Sequence, residues 1–361
     1  MSDKSRLKRG LTWVAACSLV LALIFSLKAY PDFTEAFYSQ GLYRLIRGGV
    51  QFLFNYVPFS VGDLLYIIII GLLLSGLYRL VRFLAKKEFR HAGLLFLGFI
   101  VKLQIAVCAF YFLWALNYFR QPAAERLGLQ NYEYDQEQLL TVTSMLIDSA
   151  NTSRQVLRNE DMSVSNQEIL KPAVEAINSL KTFNPPLPAI KPAAKKSLLS
   201  PLLNYLGTAG YYNPFTGEAH FNSLMPVFTR PFVACHEMAH QMGFGAEDEA
   251  NFIGFIAGKS SGNALLKYSA YYLAAQEFMA EVWRVDSIAF KKMRGKILPA
   301  VLEDLQTERE YWTRYQGDAA RLSSIFYDNY LKANKQPAGM RTYNKMIRLS
   351  MAYYRREGLI N

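Results

Sequence analysis

Three long apolar runs in the first third of the chain decide most of what the rest can do. Residues 11–27 carry no charge, residues 61–81 include Ile67-Ile68-Ile69-Ile70, and a third run extends from about 93 to 118. A helix needs about 20 residues to cross about 30 Å of hydrocarbon, and each run approaches or exceeds that length. The runs predict three transmembrane helices, over about 11–27, 61–81 and 96–118. Lys4, Arg6, Lys8 and Arg9 precede the first run in the manner of a signal peptide. Leu27-Lys28-Ala29 is a poor cleavage site, so the first run reads as an uncleaved span.

Charge follows the same division. The net charge is +11, which invites a nucleic-acid reading. Residues 1–120 hold 14 Lys and Arg against 5 Asp and Glu, whereas residues 121–361 hold 26 against 24. A nucleic-acid binder would gather its basic residues on the folded domain, so that reading is excluded and the partner is the lipid bilayer. Arg79, Arg82, Lys86, Lys87 and Arg90 lie between the second and third runs. The loop between the first and second has only Lys28, Arg44 and Arg47. The positive-inside rule places the N-terminus and the second loop in the cytoplasm, and three spans leave everything after about Arg120 outside it. Lys102 is expected at the cytoplasmic edge of the third span, snorkelling to the interface. Residues 35–56 space Leu42, Leu45, Ile46, Val50, Leu53 and Phe54 as an amphipathic helix lying on the membrane or packed on the spans.

From Gln121 the composition becomes that of a helix-rich folded domain. With 52% hydrophobic and 19% charged residues the chain is not disordered, and three Cys exclude a disulfide scaffold. Helical periodicity covers 136–150, 166–182, 262–284, 299–315 and 340–355. Asn184-Pro185-Pro186-Leu187-Pro188 reads as a loop. Aromatic residues flanking the turn Asn213-Pro214-Phe215-Thr216-Gly217 read as a hairpin over 210–222. The expected architecture is mainly α, with a membrane anchor over 1–120 and an extracytoplasmic α-rich domain with a small β element over 121–361.

The chemistry lies between Thr229 and Asn251. A helix should begin near Pro231, with Thr229 available as its cap, and stop at Gly243 or Gly245. It carries His236-Glu237-Met238-Ala239-His240. Two His four residues apart share one helix face, so both imidazoles can reach one metal ion. Glu237, beside the first ligand, is placed as the catalytic base that takes a proton from a water activated by zinc. The helix is otherwise apolar, and a buried His or Glu needs a partner. Cys235 reads as a small buried hydrophobe. Glu218 and His220 sit on the hairpin, with His220 structural. Any of Tyr211, Tyr212, Tyr268, Tyr271 and Tyr272 is available to stabilise an oxyanion.

The His-Glu-x-x-His helix followed by Glu247-Asp248-Glu249-Ala250-Asn251 resembles the zincin metallopeptidases whose third ligand is a Glu on the next helix. The metzincin pattern is rejected, because its third His position is Ala246 here. Nearly the whole chain resembles a Bacteroidota inner-membrane family, domain of unknown function 3810. The matching blocks are Pro58-Phe59-Ser60-Val61-Gly62-Asp63, Trp114-Ala115-Leu116-Asn117-Tyr118-Phe119-Arg120, Pro214-Phe215-Thr216-Gly217-Glu218-Ala219, residues 236–252, and Tyr330-Leu331-Lys332-Ala333-Asn334. The resemblance implies a three-span anchor, a zincin-like domain and a periplasmic location for that domain. Zincins commonly present an edge strand to an extended peptide, which the hairpin would supply.

Two carboxylates compete as third ligand. Glu247 and Glu249 stand about 200° apart around a helix, so they cannot face one ion together. Glu247 shares its face with Asn251, an amide suited to supporting a liganding imidazole, and Glu249 shares its face with apolar Ile253. The metal set is therefore His236, His240 and Glu247, and Glu-type zincins often show this Glu-x-x-x-Asp/Asn spacing. The expected function is a membrane-anchored zinc-dependent metallopeptidase acting on peptides or proteins. Its rivals are a zinc-binding sensor or scaffold without catalysis and a metal-dependent hydrolase of a cell-envelope amide.

Overall fold

Helix makes up 74% and strand 3% of the chain in a computed structural model that describes residues 2–129, 133–185, 187, 191–336 and 343–360, with the backbone alone at 343–345. The chain divides into two compact units, one of residues 1–120 with 214–217 and one of 121–213 with 218–361.

In the first unit, α1 (Asp3–Ser26), α2 (Tyr43–Phe54), α3 (Val61–Ala85) and α4 (Phe89–Leu113) carry the apolar runs. Helices α1, with its continuation to Ala29, α3 and α4 are long and apolar enough to cross a membrane. Ser2 and Ser60 cap α1 and α3, accepting the Ser5 and Asp63 N–H groups. The third span differs from the expected 96–118. It begins at Phe89, because Phe89-Arg90-His91 is as helical as the residues after it although less apolar. It ends at Leu113, where Trp114 leaves helical geometry and a 3-10 turn runs over Ala115–Phe119. Lys102 stands in the middle of α4 and is exposed. The segment read as one amphipathic helix starts as a π-helix over Thr34–Leu42 and continues as α2. In α2 the apolar Leu45, Phe52 and Leu53 are exposed while Tyr43, Arg47 and Gln51 are buried. A bidentate ion pair from Arg120 to Glu35, at 2.6 and 2.7 Å, closes this unit.

The second unit contains α5 (Gln136–Val156), α6 (Asn166–Ser179), α7 (Arg230–Gln241), α8 (Glu247–Lys259), α9 (Ala264–Val285), α10 (Ser287–Arg294), α11 (Pro299–Thr313), α12 (Asp318–Ala333) and α13 (Tyr343–Arg356). Asp135 and Ser165 build capping boxes at the starts of α5 and α6. The stretches of periodicity read from the sequence left out α10 and α12. Of the expected helix over 340–355, residues 340–342 lie outside the described residues, as do Pro186 and Pro188 of the expected loop. The core joins Leu139, Val142 and Leu146 of α5 to Phe232 and Met238 of α7, Phe252 and Phe255 of α8 and Phe278 of α9.

A three-stranded sheet borders α7. Strand β1 (Ala194–Lys196) runs parallel to β3 (Glu218–Phe221), and β2 (Gly210–Asn213) runs antiparallel to it, in the order β1-β3-β2. The hairpin register pairs Tyr211 with His220 and Tyr212 with Ala219. Strand β1 carries no strand signal of its own, since Ala193-Ala194-Lys195-Lys196 lacks branched and aromatic residues.

Candidate metal centre

Helix α7 opens with Pro231 in its first turn, where the missing N–H costs nothing. Thr229 stands at the cap position but does not cap: its Oγ1 donates to the Pro226 carbonyl at 2.8 Å. Ser269 of α9 supplies the missing acceptor, taking the Phe232 N–H at 3.1 Å. The helix ends where Gly243 adopts φ 85°, a left-handed conformation that glycine enters freely. The Phe244 N–H then turns back to the Ala239 carbonyl at 3.2 Å. This turn leads into α8, whose first residue is Glu247.

His236 and His240 lie four residues apart, their ring centroids 4.8 Å from each other. Nε2 of His236 is 3.2 Å and Nε2 of His240 is 3.6 Å from the two oxygens of the Glu247 carboxylate. One ligand atom from each of His236, His240 and Glu247 lies within 4.8 Å of the others, a group able to hold a metal ion. His240 Nδ1 is 2.7 Å from the Phe244 carbonyl. A carbonyl only accepts, so Nδ1 carries the proton and the Nε2 lone pair faces Glu247.

Electrostatics ties the cluster together. Burial would lift the Glu247 carboxyl, but the charges of His240 and His236 and hydrogen bonds from His236 and Tyr327 hold it at about 2. Burial also opposes a charged His236, yet hydrogen bonding to Glu247 and the charge of Glu237 outweigh it, with Asn251 adding to the pull, and raise it to about 9. Burial lowers His240 to about 4 against the attraction of Glu247. Burial, reinforced by the charge of Glu247 and opposed by His236, lifts Glu237 to about 8.

Glu237 is 4% exposed, and its Oε2 has no hydrogen-bond partner among the described residues. Its Oε1 would lie 2.7 Å from a Cβ placed on Gly210, the first residue of β2. Glu249 is turned to other work. It accepts the Ala123 N–H at 2.6 Å and pairs with Arg126 at 3.0 Å. Ile253, on its face, is fully buried.

The remaining candidates separate by contact. Cys235 is buried and inert, its thiol pushed up by burial and directed at the Ala173 carbonyl. His220 stacks on Tyr211 at 4.6 Å and lies near Glu218, which pairs with Lys195 at 2.6 Å. Tyr268 and Tyr272 donate to Asp304 and Glu308, and Tyr271 packs on Phe255. Of the five tyrosines singled out from the sequence, Tyr212 comes to the cluster, with its ring 6.5 Å from that of His240. Tyr327 of α12, hydrogen-bonded to Glu247, was not singled out. It lies eighty positions from its partner, and no local pattern marks it.

Residues 38–351 match the model of the family described as a protein of unknown function (DUF3810), and the chain belongs to that family. No curated protein and no solved structure matches it.

Proposed function

We propose that this member of the DUF3810 family is a membrane-anchored, zinc-dependent peptidase of the zincin type. One arrangement carries the reading: two imidazole Nε2 atoms converging on the Glu247 carboxylate at 3.2 and 3.6 Å, with Glu237 buried beside them. Two imidazoles and a carboxylate form the protein ligand set of a catalytic zinc site, which keeps a fourth position open. The partnerless Oε2 of Glu237 fits the same reading, because a buried carboxylate oxygen left unpaired is costly unless it has work in a reaction.

His236, His240 and Glu247 would hold the ion. Bound there, zinc supplies Lewis acidity that polarises a carbonyl and lowers the pKa of a water. The chain's own groups do the rest. The Phe244 carbonyl fixes the His240 tautomer, and Tyr327 steadies Glu247. Glu237 accepts the proton of the attacking water and delivers it to the amide nitrogen as the C–N bond breaks. Strand β2, an edge of the sheet beginning against Glu237, suits an extended peptide.

The exposed apolar face of α2 suits a helix resting on lipid. Nine basic residues at the start of α1 and around the turn between α3 and α4, against three in the intervening loop, orient the second unit outside the cytoplasm. The resemblance to Bacteroidota proteins makes that compartment the periplasm. A reporter active only outside the cytoplasm, fused after Asn361, should be active.

Glu237→Gln tests the catalytic reading. It should lower peptide hydrolysis by about 10²–10⁴-fold, the usual contribution of a general base, while zinc content stays unchanged. A Glu237→Gln chain with wild-type hydrolysis would overturn it.

A further inference from the structure

Alongside the first turns of α7 lies a cavity of about 90 Å³. Its apolar wall is formed by Ala209, Met225, Phe232, Val233, Leu273 and Trp312. Polar residues also border it, and they already have partners in the protein. Thr229 Oγ1 donates to the Pro226 carbonyl, Ser269 Oγ accepts the Phe232 N–H, and Tyr272 and Gln276 both donate to Glu308. The cavity therefore offers an occupant dispersion and desolvation rather than hydrogen bonds.

Its position ties it to the candidate metal centre. Phe232 and Val233 stand one helical turn before His236 and Glu237, on the same faces of α7. Val233 Cγ1 and Glu237 Oε1 come within 2.9 and 2.7 Å of one point, where a side chain on Gly210 would begin. The next residue back, Ala209, lines the cavity. Glycine at 210 is what lets the strand, the carboxylate and the cavity wall meet.

We infer that this cavity receives one side chain of the bound peptide, and that the side chain is a branched aliphatic one: Leu, Ile or Val. The inference rests on the peptidase reading and names its substrate class. Size sets the upper bound. An apolar cavity of about 150 Å³ accommodates benzene, so about 90 Å³ suits three or four carbons and excludes the ring of Phe or Tyr. Lys and Arg fit it poorly, because six of the ten lining side chains are apolar and would desolvate the charge.

Photolabelling reads the cavity without requiring turnover. The full chain carrying Glu237→Gln is irradiated with N-acetyl photo-leucine amide, a diazirine analogue of leucine, and the labelled residues are mapped by mass spectrometry. Label should fall on Met225, Leu273 or Trp312. N-acetyl-leucine amide should displace it at least about tenfold more effectively than the phenylalanine or lysine amide, the discrimination expected of a filled apolar pocket. Leu273→Ala, which enlarges the cavity, should let the phenylalanine amide compete equally. Labelling elsewhere, or equal displacement by all three amides in the unaltered cavity, would overturn the inference. Digestion of a random peptide library by the zinc-loaded wild type separates the two readings. No cleavage, with the label still in the cavity, sinks the peptidase reading. Cleavage with no preference for Leu, Ile or Val at any position sinks the cavity assignment and leaves the peptidase standing.

Discussion

The first 120 residues and the remainder use the same side chains in opposite ways. In α1 and α3, Leu23 and Leu74 are 61% and 62% exposed, whereas in α8 and α9 Phe252, Phe255 and Leu266 are completely buried. Burying apolar surface is worth about 25 cal/mol per Å² in water, so helices with this much exposed leucine suit lipid. Polar groups reverse as well: Arg47, Gln51 and Asp63 are buried in the first unit. In the second, buried Glu237 and His240 and half-buried His236 and Glu247 are gathered in one place. Exposure carries meaning only against a stated solvent, and buried charge only against stated partners.

The largest effect should come from that gathered cluster. His236→Ala or His240→Ala should take bound zinc from about one per chain to none, read by elemental analysis of the purified protein. Glu247→Gln should cut zinc affinity severely, while Glu249→Gln should leave it within about tenfold. Glu249→Gln has a different cost. It takes the charge partner from Arg126, whose side chain is 10% exposed and keeps the Gln121 carbonyl and the Phe244 ring as contacts, and should lower unfolding stability by about 3 kcal/mol. Full zinc surviving both His changes, or a swap of the two Glu phenotypes, would erase the contrast between a working cluster and a structural one.

A matched pair of surface changes tests the difference in solvent directly. Leu74 and Val156 are equally exposed, at 62% and 63%. Leu74→Arg, on α3, should cost about 3 kcal/mol of membrane insertion, measured with an insertion reporter. Val156→Arg, on α5, should shift thermal stability by no more than about 0.5 kcal/mol. Equal tolerance at both positions would mean that α3 does not meet lipid.

The smallest effect concerns a carboxyl inside the second unit. Burial raises Glu277, on α9, to about 7 from an ordinary value of 4.5. The folded chain then holds that proton more tightly than the unfolded chain, so stability is lost as pH rises from about 4.5 through about 7. Glu277→Gln should match wild type near pH 4.5 and be about 2 kcal/mol more stable at pH 8, seen in denaturant titrations at both values. Identical curves at the two pH values would show that this interior is wetter than its burial implies.

The spans were legible because hydropathy is local and additive, yet the boundaries of α4 were not. Nothing in its composition announces that the backbone breaks at Trp114 or that Phe89 already belongs to the helix. Helix α7 was legible through Pro231 and Gly243, but Thr229, a plausible cap by type, spends its hydroxyl on Pro226. The cap arrives from Ser269, thirty-seven positions away. The hairpin announced itself through aromatics around a Pro/Gly turn, whereas β1 is a strand only because β3 is beside it.

By itself the sequence determined what periodicity and short range can determine: three apolar helices, a helix with His236 and His240 on one face, and a following acidic turn with Glu247 and Glu249 on different faces. Each depends on the fixed geometry of a single helix, 3.6 residues per turn, which needs no knowledge of the rest of the fold. Tertiary structure alone decided what those faces meet. It gave Glu249 to Arg126, brought Tyr327 to Glu247, set Gly210 against Glu237, and opened a cavity beside Val233. These neighbours are separated by tens to more than a hundred residues, and their meeting depends on how several helices pack at once. No spacing along the chain encodes that.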